Sequence, residues 1–443
     1  MGVFKYIFLT IKNDLKENYF YMITMTMSIA IIFVSFNIIY NEEIVPQRSY
    51  EYTILSILGA VVLSVLILFM IFANSYYLED KYKEYGVITL SGKSTFEIFI
   101  IISVRNLIMS LVAILFGCIL GYIINPIIMR KVFQMINIEN PTTYVCTQSL
   151  AITIIMTIVE CLVVFLINSG QIYKKKIKEL IIKKKSSFIP NVKRSKMKTY
   201  IYIIFYFIPL ISLLLPVSRK DIAFVMLAAI VTSIFGIQGV VRYVIPNALA
   251  DYKNKTFITD KIKLIIISNL YASIKRSTSL VLMYIITAVV TIVVIGQYQE
   301  YSVINTFALA SFIFVVVILN FTIMYKFFIE AYRRKENFEQ LRLMGYSYKE
   351  ISKIILFEVI YYYFIVNILV LIQITLIFLA SNLAGFISVM FVLKVLGQYI
   401  AITVFFGVIS LVGYKKIACK KSRLEKNELY QKLIQLILKV YSN

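Results

Sequence analysis

The chain has 443 residues, of which 60% are hydrophobic and only 16% are charged, and its mean hydropathy is +0.84. This composition excludes a water-soluble globular protein and indicates a polytopic membrane protein. The absence of histidine excludes imidazole catalysis and the commonest metal ligand.

Ten apolar runs of about twenty residues recur along the chain, and each is predicted to cross the membrane as an α-helix. Most of the 46 Lys and Arg fall on alternate connections, so the positive-inside tendency predicts that both termini are cytoplasmic. This distribution makes membrane lipids the expected charged partners and excludes nucleic acid. The abundance of Ile, Lys, Asn and Tyr is typical of a low-GC bacterium, so a bacterial cell membrane is expected. The predicted spans are Tyr19–Tyr40, Tyr52–Tyr77, Ser103–Ile124, Leu150–Asn168, Thr199–Val217, Ile222–Tyr243, Leu280–Gln297, Val303–Phe327, Glu358–Leu379 and Gly397–Tyr414.

Two amphipathic approach helices are predicted, one in the N-terminal segment before the first span and one over Asp260 to Ser279 before the seventh. Each half then contains two spans, a connection and two more spans, with helices five and six between the halves. The fold class is therefore predicted as all-α, with about ten transmembrane helices in a 4+2+4 arrangement. The predicted units are a first four-helix unit (1–170), a basic linker with two connecting helices (171–259), a second four-helix unit (260–416) and a basic amphipathic tail (417–443).

Two distant segments have closely similar sequences, which indicates a duplicated membrane unit. Asp80 to Ile98 reads DKYKEYGVITLSGKSTFEI, and Arg333 to Ile351 reads RRKENFEQLRLMGYSYKEI. We call these segments the first and second elbow. The identical positions of the two elbows are Leu90 with Leu343, Gly92 with Gly345, Ser94 with Ser347, Glu97 with Glu350 and Ile98 with Ile351.

The elbow sequences predict how each helix ends and the next begins. Gly92 and Gly345 are predicted helix C-caps. The next helix is predicted to start at a capping box, Ser94 with Glu97 in one elbow and Ser347 with Glu350 in the other. The first elbow differs from a phosphate-binding loop, since five residues separate its glycines and no strand precedes it. We therefore expect no nucleotide or other cofactor on this chain.

Three ionisable residues lie within or near predicted spans. Glu160 lies in the middle of helix four, where a carboxylate usually faces the bundle interior. It is expected either to pair with an interior polar group or to line a cargo path. Arg105 and Glu358 are equivalent in the elbow register and are expected to snorkel to the inner interface or to anchor the elbows.

The elbows carry a motif that resembles the FtsX-like permease family of ABC transporters. In that family a membrane helix runs into a charged segment, followed by L-x-x-x-G and a short coupling helix. The stretch Phe72 to Gly86 is most similar to the peptide-antibiotic resistance (bacitracin-export-type) permeases. Those permeases carry a large extracellular domain where only Gln297 to Val303 connects two predicted spans here. The matching residues are Lys81, Lys83, Glu84, Tyr85, Gly86, Leu90 and Gly92, and more loosely Arg334, Phe338, Leu343 and Gly345, with Asn337 replacing the glutamate of the second copy.

The resemblance implies the membrane subunit of an ABC transporter, without enzymatic activity of its own. ATP and Mg would be bound by a separate cytoplasmic ABC ATPase, acting as a dimer. The function implied is export or removal of an amphipathic substrate, such as an antimicrobial peptide or a lipid-linked molecule. The expected ATPase-coupling residues are Lys83, Glu84, Gly86, Leu90, Gly92, Ser94, Glu97, Arg334, Arg342, Leu343, Gly345, Ser347 and Glu350.

Two other functions are compatible with the sequence. The chain could be a non-transport signalling protein in which ATPase motion controls a cell-surface enzyme or a two-component sensor kinase. It could also be a secondary transporter driven by an ion gradient, with Glu160 as the proton or sodium site. The duplicated basic elbows argue against the second of these alternatives.

Overall fold

The computed structural model describes ten stretches of the chain, and they are helical, with no β-strand among them. The all-α class is therefore confirmed for the described part. The N-terminal approach helix, most of the basic linker, most of the seventh predicted span and the C-terminal tail lie outside it. The described residues are 15–46, 49–139, 141, 144–174, 198–212, 222–256, 260–278, 281–282, 302–383 and 388–418.

The helices follow the apolar runs of the sequence, but several continue far beyond them. A short π-helical turn, Val240–Val244, joins α6 to α7. The α-helices are α1 (Leu15–Ile39), α2 (Tyr50–Leu90), α3 (Thr95–Ile136), α4 (Thr147–Lys174), α5 (Thr199–Ser212), α6 (Ile222–Gly239), α7 (Ile245–Thr256), α8 (Lys261–Arg276), α9 (Ser302–Leu343), α10 (Tyr348–Leu383) and α11 (Val389–Ala418).

Seven of the described helices are long and apolar enough to cross a membrane: α1, α2, α3, α4, α9, α10 and α11. They correspond to the first four and the last three predicted spans. Helices α5 and α6 correspond to the fifth and sixth spans, and α5 has only 14 described residues. The count of ten and the 4+2+4 arrangement stay predictions.

Helices α2 and α9, which lead into the two elbows, pack against each other at the centre of the structure. The Tyr325 hydroxyl of α9 donates a hydrogen bond of 3.4 Å to the carbonyl of Ala73 in α2. Helix α9 is buried along most of its membrane part, and α11 packs along it. Each elbow is thus the continuation of a central helix.

Helices α1 and α3 pair closely because glycines on α3 let the two backbones approach. A Cβ atom on Gly117 would lie 2.7 Å from the Cβ of Ile29, and one on Gly121 would lie 2.8 Å from the ring of Phe33. Both distances are shorter than van der Waals contact allows. The first unit therefore depends on small residues at this crossing.

An asparagine cluster, which sequence reasoning missed, closes the end of the first unit opposite the elbow. Asn37 of α1 donates to Asn125 of α3 at 3.1 Å and to the carbonyl of Tyr144 at 3.0 Å. The backbone N–H of Cys146 donates in turn to Asn37 at 2.8 Å. These bonds hold the connection before α4 against α1 and α3.

We expect Gly117→Ala to destabilise the protein by about 1–3 kcal/mol, because the new methyl group overpacks against Ile29. Gly397→Ala is the matched control, since it lies in helix α11 and a Cβ there meets nothing within 4 Å. The control should be neutral or slightly stabilising, as alanine favours helices more than glycine does. Thermal unfolding of both variants in detergent checks this, and equal melting temperatures would contradict it.

Candidate functional site

The first elbow is a tight turn that is fully specified by local hydrogen bonds. Gly92 has φ +92° in the left-handed region, and its N–H donates to the carbonyl of Thr89 at 3.1 Å. The N–H of Lys93 donates to Ile88 at 3.3 Å, which completes a Schellman motif. Helix α3 then begins at the predicted capping box, in which Ser94 and Glu97 exchange backbone-to-side-chain hydrogen bonds of 2.9 and 3.2 Å.

The second elbow repeats this geometry. Gly345 has φ +95°, its N–H donates to the carbonyl of Arg342 at 2.9 Å, and the N–H of Tyr346 donates to Leu341 at 3.1 Å. The N–H of Ser347 donates to Glu350 at 2.7 Å, and the N–H of Glu350 donates to the Ser347 hydroxyl at 3.3 Å. The predicted caps are confirmed in both copies, so both elbows turn the chain in the same way.

Both elbows expose apolar side chains at the turn itself. Leu90 is 68% exposed and its repeat partner Leu343 is 89% exposed, while Phe96 and Met344 are also exposed. The first turn lies well beyond the candidate span Tyr50–Ser75, and the charged stretch Arg333 to Arg342 precedes the second turn, so lipid does not account for these exposed groups. Leu90 and Phe96 at the first turn, and Leu343 and Met344 at the second, therefore offer apolar surface that a partner protein can cover.

A network of buried charges lies in the second unit, before the second elbow. The Arg334 guanidinium pairs with the carboxylate of Glu358 and lies 3.6 Å from that of Glu330. Lys326 donates to the Ser273 hydroxyl at 2.5 Å, and that hydroxyl donates to Glu330 at 3.2 Å. Two positive and two negative groups therefore lie together in the interior.

This network joins four helices. Asn269 of α8 donates to Glu358 of α10 at 3.1 Å, and Arg334 of α9 donates to the hydroxyl of Tyr414 in α11 at 3.4 Å. The Lys326 ammonium also lies 3.3 Å from the centre of the Tyr362 ring, a close cation–π contact. The described approach helix α8 is thus tied to the helices on both sides of the second elbow.

The first unit has a polar cluster at positions equivalent to the charge network of the second unit, but its residues carry different charges. Arg105 donates to Asn18 of α1 at 3.0 Å and lies over the ring of Tyr77 at 5.3 Å. The Tyr77 hydroxyl also donates to Asn18, at 2.8 Å. In the elbow register Arg105 corresponds to Glu358 and Tyr77 to Glu330, so equivalent positions hold unlike groups.

The expectation that Arg105 and Glu358 snorkel is wrong, because they are 1% and 0% exposed. Partners on α1 and α8 satisfy these groups inside the protein, so no long reach to the interface is needed. The anchoring alternative agrees with the structure, since each residue ties the helix that follows its elbow to the helix that enters the unit.

The structure separates Arg334 from the other predicted coupling residues. Its side chain is 13% exposed and belongs to the buried network, not to the surface of the turn. Sequence reasoning missed two members of that network, Lys326 and Glu330. Lys326, Glu330 and Arg334 follow one another at intervals of four residues, which places all three on one face of α9. This spacing is the signal that could have found them.

The remaining predicted elbow residues differ in their accessibility. Glu84 is half-buried, Gly86 is buried, and Arg342 is half-buried beside the exposed Leu343. The side chain of Lys83 lies outside the described residues. The accessible surface is therefore formed by the turns, whereas Lys81 and Glu84, on the charged approach to the first turn, are buried and half-buried.

Glu160 lies in the middle of α4 and is 3% exposed, so the prediction that it faces the bundle interior is confirmed. The Ser28 hydroxyl of α1 donates to its carboxylate at 2.8 Å. Thr157, Ser110 and Cys161 line the small space beside it. Glu160 thus connects α4 to α1 across the first unit.

The sequence around the first elbow matches a known protein family. Residues 56–177 match the family model described as FtsX-like permease C-terminal, and this range includes the whole first elbow. The chain carries an FtsX-like permease domain. The resemblance expected from the elbow motif is confirmed over that part of the chain.

Curated relatives agree with this assignment at low identity. The bacitracin export permease protein BceB of Bacillus subtilis is 24% identical over 183 residues, which are 41% of this chain and 28% of that protein. The uncharacterized ABC transporter permease YvcS of the same species is 26% identical over 179 residues, 39% of this chain and 27% of that protein. A BceB of Halalkalibacterium halodurans is 24% identical over 135 residues, 30% of this chain and 21% of that protein. The matched stretches therefore cover less than a third of each relative.

Arg334→Ala is expected to lower the free energy of unfolding by about 3 kcal/mol or more, because it leaves Glu330 and Glu358 buried without their guanidinium. Lys335→Ala is the matched control on the same helix, since Lys335 pairs with Glu339 at 3.8 Å in a more exposed setting. The control substitution should lower the free energy of unfolding by about 1 kcal/mol or less. Thermal unfolding in detergent measures both losses, and similar values for the two variants would refute the role of the buried network.

Ser28 and Glu160 should be energetically coupled by about 1 kcal/mol in a double-mutant cycle of Ser28→Ala and Glu160→Gln, since they share one buried hydrogen bond. A second cycle, of Ser28→Ala and Thr157→Val, supplies the control, because the Thr157 hydroxyl bonds to Thr153 of its own helix. The control cycle should be additive. Additivity in both cycles would show that Glu160 is not held by Ser28.

Proposed function

We propose that this chain is the membrane permease subunit of an ABC transporter and that a separate cytoplasmic ATPase drives it through the two elbows. The observation that carries the proposal is the matched geometry of the turns. Each has the same Schellman motif and the same capping box, and each exposes a leucine at the end of a central helix. Two equivalent docking surfaces suit a symmetric ATPase dimer.

The central helices supply a mechanical connection from the elbows into the membrane. Helix α2 has 41 residues and α9 has 42, so each spans about 60 Å at 1.5 Å per residue. The hydrocarbon core of a bilayer is about 30 Å thick, and the rest of each rod projects beyond it. A displacement of the turn is therefore carried to the packed pair at the centre of the structure.

The proposed cargo is an amphipathic molecule taken from the membrane, such as an antimicrobial peptide or a lipid-linked compound. The relatives named as bacitracin export permeases support this class of cargo. The bond between Glu160 and Ser28 favours a structural role for Glu160, and a place on the cargo path stays a prediction. In this proposal ATPase motion moves a cargo, whereas in the signalling alternative the same motion controls a sensor kinase.

We expect Leu90→Asp with Leu343→Asp to abolish co-purification of the ATPase, because a charged group replaces an apolar side chain that the partner would cover. Leu383→Asp is the matched control, as Leu383 is 71% exposed at the end of α10 away from the elbow. The tagged full chain is isolated from its native membranes, and the bound ATPase is quantified by its protein band and by its ATP hydrolysis.

The control should retain the bound ATPase, and the double variant should lose at least about 90% of it, which corresponds to about 1.4 kcal/mol of binding free energy. Retention of the ATPase by the double variant would overturn docking at the turns. Absence of any ATPase from the wild-type preparation would overturn the proposed function. Susceptibility of a deletion strain to peptide antibiotics then tests the cargo class separately.

A further inference from the structure

A cleft between α3 and α4 in the first unit is not explained by the elbows or by the buried charges. Its volume is 460 Å³, which lies in the range of small-molecule sites. Met25 of α1 closes its inner side. Leu107, Leu111 and Leu162, each more than half exposed, stand at its lipid-facing mouth. The cleft is therefore reached sideways, from the bilayer.

Polar side chains line this cleft although it faces an apolar medium. Ser103, Asn106 and Asn168 are among them, and they lie toward the elbow end of the two helices. Asn168 is only 1% exposed, and the Asn168 oxygen accepts a hydrogen bond from Asn74. Asn106 also donates to Asn74, at 3.3 Å. An amide cluster thus forms the polar end of an otherwise apolar space.

Part of the hydrogen-bonding capacity of this cluster is unused. Within the described part of the chain, the Nδ2 of Asn168, the Oδ1 of Asn106 and the hydroxyl of Ser103 are buried without a partner. Such groups cost free energy in a bilayer, which offers no water to satisfy them. One donor and one acceptor on neighbouring amides match a hydroxyl group, which accepts one hydrogen bond and donates another.

The second unit lacks counterparts of these polar residues. In the elbow register Ser103 corresponds to Leu356 and Asn106 to Val359. The sequences SGQIYKK and SLVGYKK, at the ends of α4 and α11, align Asn168 with Ile409. The second unit has apolar residues at all three positions and Phe327 in place of Asn74, so the amide cluster and its unused hydrogen-bonding groups belong to the first unit alone.

The chemistry of the lining selects an uncharged ligand. Of the described residues that line the cleft, none is basic, so a phosphate headgroup would be buried without a counter-charge. The apolar walls suit a hydrocarbon chain.

We propose that this cleft binds an acyl lipid with an uncharged hydroxyl headgroup, of the diacylglycerol type. The chains lie between α3 and α4, and the hydroxyl bonds to Asn106 and Asn168. The proposal does not rest on the proposed function, since the lipid binds the chain without ATPase or ATP.

The test uses the full chain in phosphatidylcholine nanodiscs and a diacylglycerol with a photoactivatable group in one acyl chain. Crosslinked residues are mapped by mass spectrometry. We expect crosslinks to concentrate on Ser103 to Ile114 and on Ile158 to Phe165. An excess of dioleoylglycerol should remove them, and the same excess of dioleoylphosphatidylglycerol should not.

The repeat-matched variant, Ser103→Leu with Asn106→Val and Asn168→Ile, introduces the residues of the second unit. It should lower labelling of the cleft at least about fivefold, the effect of one lost hydrogen bond. Ser103→Leu alone leaves the amide cluster intact, narrows the cleft and should also lower labelling. Leu115→Val on the lipid-facing side of α3 is the control and should label as the wild type does.

Unchanged labelling in both Ser103→Leu and the triple variant would overturn the site. Equal competition by the anionic lipid would also overturn it, because it would show only the lipid that surrounds any membrane protein. Melting temperatures of all variants are measured in parallel. A folded triple variant with lost labelling supports the site, and if that variant does not fold, Ser103→Leu decides the outcome.

Discussion

The structure depends on two unbroken helices that cross the membrane, continue well beyond it and pack against each other. Helices α2 and α9 are about twice as long as a bilayer core requires. An α-helix satisfies its own backbone hydrogen bonds, so such a rod can pass from lipid to water without a break. Helices α2 and α9 pack closely against each other, so they join the two units. The turns at their ends continue directly from these packed helices.

The duplication preserved the turns and changed the interior. Both elbows have the same left-handed glycine and the same capping box, since these elements depend only on residues within the turn. The buried polar groups differ: the first unit has an uncharged amide cluster with Arg105, and the second has a four-charge network around Arg334. A buried polar group needs only a hydrogen-bond partner among its neighbours, so the two units can have different sets of buried polar residues.

The interiors of the two units differ in chemical character. Removal of one member of the ionic network leaves an uncompensated charge in an apolar interior, so the four charged residues of the second unit depend on one another. The first unit leaves a cleft and unused hydrogen-bonding groups at the lipid face. The FtsX-like region over residues 56–177 includes the walls of that cleft on α3 and α4.

The sequence by itself determined the membrane class, seven of the spans, the C-cap glycines and the capping boxes, because these follow from composition and from bonds between near neighbours. The sequence also predicted correctly that Glu160 faces the interior of the helix bundle. Only the tertiary structure decided which polar residues meet: Arg334 with Glu358, Asn37 with the connection before α4, and Asn74 with Asn168. These contacts join residues far apart in the chain, and helical periodicity fixes the face of a helix but not its neighbour. For that reason the snorkelling expected of Arg105 and Glu358 was wrong, since partners on other helices satisfied both groups in the interior.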